Sequence, residues 1–260
     1  MLRNVPTKII LLGLIIIVIG CDLPHQPGPM PRDLIETKFE PGLNIFCVLR
    51  ADDIPGSSFC LVEKALTTQE MYEDTNHVVS DASILINDPE TNRLFAFTPE
   101  IDSMRGRIFT NLNFVPTAGR TYQITVSAPG FADVTAETVV PSRPEIDPAS
   151  QRLQANKLEF DLLARADVYL YEIALIFFSQ RITLEKPVHT DEVIHVKIDF
   201  AAELGPPLFL GIYAYDANLA EYLSASPSLI PQTYHEIPST VEDGYGCLGS
   251  LAVTLVPLNQ

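Results

Sequence analysis

The sequence predicts an all-β chain of two consecutive β-sandwich-like domains, behind a leader and a Pro-rich tether. Three observations carry that prediction. From Leu43 onward, short β-branched and aromatic runs alternate with turn residues, the pattern of sandwich strands and their connections. A proline-dense stretch, Pro141 to Pro148, interrupts them midway. Beyond residue 20 the chain keeps 240 residues, 260 less 20, enough to build two hydrophobic cores.

In the first half the strands are predicted at Leu43–Leu49, Ser58–Lys64, Ala82–Asn87, Leu94–Thr98, Arg107–Asn111, Thr121–Ala128 and Ala132–Val139. Asn87-Asp88-Pro89-Glu90-Thr91-Asn92-Arg93 reads as a hairpin loop, because these residues tolerate turn geometry. Its few oxygens fall short of the six to eight that calcium takes. Thr67-Thr68-Gln69-Glu70 has the spacing of a capping box and predicts a short helical turn. Three prolines within Pro141–Pro148 cannot sit in a central strand. The domains are therefore placed at residues 37–141 and 156–260, with 142–155 as linker. The second is predicted to hold strands at Lys157–Leu163, Asp167–Phe178, Glu192–Asp199, Leu208–Asp216 and Ser250–Pro257, and a short helix over Ala217–Ala225, where Leu219, Tyr222 and Leu223 recur at helical spacing.

The beginning of the chain follows a different logic. Arg3 and Lys8 precede an uncharged stretch from Ile9 to Gly20, which ends in Val18-Ile19-Gly20-Cys21. A basic start, an apolar stretch of about a dozen residues and a small residue at the cut form a signal peptide, whereas a spanning helix takes about 20 apolar residues. Aliphatic-aliphatic-Gly-Cys resembles the bacterial lipobox, which implies cleavage before Cys21 and lipid on its sulfur. More than one acyl chain on that residue meets the requirement for stable anchoring. A tether is expected over residues 21–36, where four prolines between Pro24 and Pro31 favour extended conformations. Asp22 resembles the inner-membrane retention signal of some Gram-negative species, so the choice of membrane stays open, with the outer one favoured.

Charge narrows the partners. The chain carries 17 basic and 33 acidic residues; the leader takes two of the basic ones, leaving 15 − 33 = −18. Nucleic acid is excluded as a partner, since phosphate backbones are bound by Lys and Arg neutralisation. The same charge repels anionic headgroups, so attachment must come from acyl chains. Three further cysteines, Cys47, Cys60 and Cys247, cannot all pair. Cys47 and Cys60 lie in neighbouring predicted strands and could meet, yet direct cross-strand bridges are geometrically demanding, and buried free thiols are the favoured reading.

Thr117-Ala118-Gly119-Arg120-Thr121-Tyr122-Gln123-Ile124-Thr125-Val126-Ser127-Ala128-Pro129-Gly130-Phe131, followed by Val134 to Pro141, resembles the ending of a carboxypeptidase-regulatory-like, immunoglobulin-type sandwich. With Asp243-Gly244-Tyr245-Gly246-Cys247-Leu248-Gly249-Ser250 and the lipobox, the chain is similar to the bacterial lipoprotein family catalogued as domain of unknown function 4249. That family usually has Phe where this chain has Leu248. The resemblance implies a lipoprotein of the cell envelope, working beside outer-membrane receptors, and brings no catalytic residues.

Two motifs could carry chemistry. Gly244-Tyr245-Gly246-Cys247-Leu248-Gly249 spells the dinucleotide fingerprint, but only eleven residues follow it, and a Rossmann site needs a helix and an acidic partner about 20 residues on. Its glycines are expected to let the chain pass closely against the sandwich. His189-Thr190-Asp191-Glu192-Val193-Ile194-His195 gathers imidazoles and carboxylates. On a strand its two histidines would stand about 20 Å apart, too far for one ion, so a solvated start of a strand is expected. No catalytic, cofactor or metal residue is assigned, and Cys21 is the one expected site. The expectation is a non-catalytic binding or assembly module, with an outer-membrane receptor or a surface glycan as partner. The alternative is a lipid-anchored carbohydrate hydrolase using paired carboxylates.

Overall fold

A computed structural model describes residues 40–66, 70, 77–188, 192–225 and 239–258. Residues 40–260 form one compact unit, and its described residues are mostly β-strand, as the all-β prediction has it.

The first half supplies β1 (Leu43–Ala51), β2 (Phe59–Lys64), β3 (Ser83–Asp88), β4 (Arg93–Asp102), β5 (Gly106–Thr110), β6 (Thr121–Ser127) and β7 (Val134–Val139). These match the seven predicted strands closely. The second half supplies β8 (Glu145–Ile146), β9 (Arg152–Gln154), β10 (Lys157–Leu163), β11 (Leu170–Ile176), β12 (Arg181–Pro187), β13 (Val193–Asp199), β14 (Phe209–Tyr215), β15 (Val241–Glu242) and β16 (Tyr245–Pro257). Helix α1 (Ala217–Ser224) follows β14, where the sequence predicts it. The expected turn at Thr67–Glu70 lies largely outside the described residues.

One path of hydrogen-bonded strands runs β12-β11-β14-β16-β1-β2-β5-β4-β3-β6-β7-β15, and a smaller sheet runs β13-β10-β8, with β9 beside β10. The long path folds over at β4: its first residues pair with β3 up to Phe97, and its last with β5 from Thr98. A strand that changes sheets makes a sandwich corner, and here Pro99 follows directly on the change of partner. Around Phe114 this corner closes with edge-on rings, Phe95 at 4.8 Å, Phe97 at 5.4 Å and Tyr122 at 5.6 Å, the arrangement aromatic quadrupoles prefer. At the other end Phe177, just past β11, meets Phe200, just past β13, at 5.3 Å, joining the long path to the small sheet.

The two halves are consecutive in sequence but not independent. β16 lies between β14 of its own half and β1 of the first, parallel to β1 from Asn44↔Tyr245 to Ala51↔Ala252. Buried side chains from both halves, Ile45 and Ile124 as well as Phe160 and Ile212, belong to one core. The expected linker at 142–155 is corrected accordingly. β8 and β9 lie within it and pair with β10, and Arg143 forms a paired hydrogen bond to Asp53 in the β1–β2 turn. Prolines do bar this stretch from a central strand, but they leave it free to form short edge segments.

Strand parity sets two faces on the central strands. On the inner face stand Ile45, Cys47 and Leu49 of β1, Cys60 and Val62 of β2, and Leu248 and Ala252 of β16. On the outer face Val48, Phe59, Ile108, Leu251 and Val253 form a second small core with Leu219 of α1, extended by Phe46, which stacks on Tyr222 at 5.5 Å. β16 is thus covered on both sides, which explains its continuous apolar sequence.

Candidate functional site

The densest polar constellation buried in the described residues forms where β7, β16 and the start of α1 meet. Asp216 follows β14 and caps α1: its Oδ1 accepts from the Leu219 N–H at 2.8 Å, the role in which a carboxylate satisfies an orphan donor of the first helical turn. Its Oδ2 accepts from Thr138 of β7 and, at 3.1 Å, from Ser250 of β16. The two hydroxyls are 3.0 Å apart, and Ser250 can also donate to the Val139 carbonyl at 3.1 Å. Asn218 adds a clasp, donating to the carbonyls of Glu137 and Leu248 at 3.1 and 3.0 Å. Burial pushes the Asp216 carboxyl above its ordinary value, and hydrogen bonds from Thr138, Leu219 and Ser250 oppose that push without cancelling it.

A hollow of about 300 Å³ opens beside this cluster, with Glu137 and Asp167 on its walls. Each acid there is engaged. Asp167 accepts from the Ser142 N–H at 2.8 Å, Glu137 accepts from Gln123 at 2.9 Å, and Asp216 spends both oxygens on the β7–β16–α1 joint. Ser250 and Thr138 are buried, and their bonds to Asp216 tie β7, β16 and the start of α1 together as a latch.

A second hollow, about 320 Å³, lies on the outer sheet face. Tyr213, Val253 and Leu255 line it together with Arg50, Asp52, Asp53 and Arg143. The charges are mutually paired, Arg50 with Asp52 at 3.0 Å and Arg143 with Asp53. The pairing with Arg143 holds Asp53 below the usual carboxylate range.

The glycine-rich motif is a close-packing device, as the sequence suggests. A methyl group on Gly244 would come within 2.5 Å of Val134, and one on Gly249 within 2.5 Å of Leu219 in α1. Gly246 combines φ +102° with a methyl position 1.9 Å from the Ile45 carbonyl oxygen. Gly246 and Gly249 belong to the first part of β16, ahead of the predicted strand start at Ser250, and Gly244 directly precedes it. Glycine there signals close approach of neighbouring chain as much as a bend.

The other sequence candidates fall as follows. Cys21 and His189 lie outside the described residues. His195 of β13 stands opposite Asp161 of β10 and bonds it at 2.6 Å, with 70% of its side chain exposed, a solvated surface pair. Asp88 caps the predicted β3–β4 turn through the N–H groups of Glu90 and Thr91 and meets Arg120 at 3.0 Å. Burial alone would raise this carboxyl, but the bonds from Thr91 and Arg120 outweigh it and hold it low. Cys47, Cys60 and Cys247 are buried thiols. The Asp216 latch is not legible in the sequence, because its members are 78 and 34 residues apart and the motifs that contain Thr138 and Ser250 do not point to Asp216. A local signal did exist: Asp followed by a helical run.

No curated protein matches the chain. Among solved structures, the interferon gamma receptor alpha chain from chicken overlaps with 7% identity and a TM-score of 0.22, covering 67% of this chain and 87% of that one. A tetra-tandem repeat from the extending region of a large adhesion protein overlaps with 8% identity and a TM-score of 0.23, over 84% and 49%. The chicken CNTN1 FN1-FN3 domains overlap with 10% identity and a TM-score of 0.20, over 82% and 65%. At such scores these likenesses add nothing to the architecture described above. The model of the domain of unknown function DUF4249 matches residues 30–182, more than half of the chain, and the chain belongs to that family.

Proposed function

We propose that this protein is a lipoprotein of the cell envelope, held to a membrane by acyl chains on Cys21, whose β body acts as a non-catalytic binding or assembly module beside an outer-membrane transporter. The observation that carries the non-catalytic part is the engagement of every acid around the latch hollow. A glycosidase needs two facing carboxyl groups about 5–10 Å apart with a water or sugar between them, whereas Asp216, Asp167 and Glu137 hold backbone and side-chain donors of this chain. The anchor rests on the leader and on Val18-Ile19-Gly20-Cys21. Binding through loops is supported at one end of the first sandwich. There Ile54 and Leu112 are 57% and 64% exposed, and Leu112 lies over the β1–β2 turn at Gly56. Exposed apolar residues on a turn held by the Arg143–Asp53 pair are suited to a partner surface.

Two experiments test the two parts. Cys21→Ser releases the protein from membranes into the soluble fraction, and intact mass of the membrane-extracted wild type carries the added acyl chains; an unmodified mass, or membrane retention of the variant, removes the anchor. For binding, mild detergent extraction followed by affinity capture is expected to bring one stoichiometric transporter with the wild type. Ile54→Glu with Leu112→Glu is expected to lose it at least tenfold while the unfolding midpoint stays unchanged. Capture that is indifferent to both substitutions moves the binding surface elsewhere.

A further inference from the structure

We propose that Cys47 and Cys60 are a disulfide site that bridges β1 and β2 across the inner face of the sheet, and that Cys247 stays a free thiol. The antiparallel register places Cys47 directly opposite Cys60. Two kinds of opposed pair alternate along such strands, and only the pair that exchanges no backbone hydrogen bonds has its side chains drawn together, with Cα atoms about 4.5 Å apart. The alternation is fixed at the end of the hairpin. The Ala65 N–H donates to the Gly42 carbonyl at 2.8 Å, while the Lys64 N–H turns away to His77 at 2.9 Å. Position 42 is therefore hydrogen-bonded to its opposite, position 43 is not, and the pattern continues to 47, which falls in the close, unbonded class. That separation lies inside the Cα range a disulfide accepts.

Face parity removes the third cysteine. Cys47 and Cys60 belong to the inner core. Cys247 stands beside Phe46 in the β1–β16 register, on the outer face, where its Sγ meets the Asn218 carbonyl at 3.5 Å under α1. A sheet one backbone thick separates it from the other two.

Both inner thiols are fully buried. Burial, together with the neighbouring Cys60, pushes the Cys47 thiol well above its ordinary value, and the closed sheet shuts a bulky oxidant out from both. The bond therefore forms while the hairpin is still uncovered. One cysteine thiolate attacks a disulfide oxidant of the glutathione or thiol–disulfide oxidoreductase class, making a mixed disulfide and releasing one thiol. The second cysteine, losing its proton, attacks that mixed disulfide, forms the Cys47–Cys60 bond and releases the second thiol. The oxidant leaves with the two electrons. In the cell this step rests on the export reading above, because cytosolic thiols are kept reduced.

The test has two arms on the full chain. Membrane-extracted protein is denatured in N-ethylmaleimide and digested with trypsin without reductant. Cleavage at Arg50 separates the two cysteines, so a bridge joins the peptides 39–50 and 51–64, and Cys247 carries maleimide. In parallel, reduced and unfolded protein is refolded in a glutathione redox buffer and mapped in the same way. The bridge in both arms is the expected result. Its absence after oxidative refolding overturns the pairing, and so does a bond to Cys247. A bridge after refolding with free thiols in the membrane-extracted protein keeps the pairing and removes the export reading. Reduction is expected to lower the unfolding midpoint of the bridged protein by about 5–10 °C and to leave Cys60→Ser unmoved; equal shifts in both overturn the assignment.

Discussion

Replacing Gly246 with alanine is expected to destabilise the protein by roughly 3 kcal/mol or more, at the severe end for a single substitution. Two independent costs meet there. The backbone has φ +102°, which an L side chain rarely adopts. The new methyl would also stand 1.9 Å from the carbonyl oxygen of Ile45, and that oxygen belongs to β1, the neighbour to which β16 is paired. Relief requires the two strands to part at the point where the halves of the molecule join. Denaturant unfolding measures the loss. Gly119→Ala is a suitable control: its φ is also positive, at +80°, but nothing lies within 4 Å of the new methyl, so the strain appears without the collision. Equal losses in the two variants would show that the β1–β16 approach is looser than described.

Asp216→Ala is expected to cost about 1–3 kcal/mol, combining a lost helix cap of about 1 kcal/mol with the loss of the charged acceptor shared by two buried hydroxyls, up to about 2 kcal/mol. Ser250 can turn to the Val139 carbonyl and accept from Thr138 in turn, so both hydroxyls keep a partner but lose the charged one. Asp216→Asn keeps the shape and an oxygen for the Leu219 N–H, and is expected to cost much less. Its pH dependence carries the clearer sign. The native carboxyl is raised from the ordinary 3.8, so the folded state binds the proton more tightly than the unfolded chain does. The Asp216 contribution therefore falls as pH rises from about the unfolded value through the raised native value, and stays constant above it. Asp53, Asp88 and Asp102 are held low and act in the opposite direction, losing their contribution as pH falls through their depressed native values. The difference in stability between wild type and Asp216→Asn, followed from acid to neutral pH, isolates the one from the others. A flat difference would mean that Asp216 titrates as it does in water.

The strands of the first half were legible because each is a short β-branched or aromatic run between turn residues, and position along the chain sufficed. β12 was not. Arg181-Ile182-Thr183-Leu184-Glu185-Lys186-Pro187 alternates properly, but its charges and proline, the devices that protect a sheet edge, hide the strand in sequence. The two halves were separated by prolines that do shape the chain at 141–148, yet parity and proline content say nothing about which distant strand lies beside β1. That pairing is parallel, so no hairpin announces it. The latch is hidden for a related reason. Thr138 and Asp216 stand at strand ends and Ser250 inside β16, and their common environment exists only after β7 and β16 have come together.

The place of β16 also orders events in time. Ala51 ends β1, and its partner segment begins at Tyr245, so roughly 190 residues must follow before the first strand acquires its parallel neighbour. At the usual 5–20 residues per second of synthesis that is an interval of about 10–40 s. Throughout it, the amino-terminal half holds an unfilled strand position, the sort of gap that invites another chain. Premature termination upstream of Tyr245 would make the gap permanent.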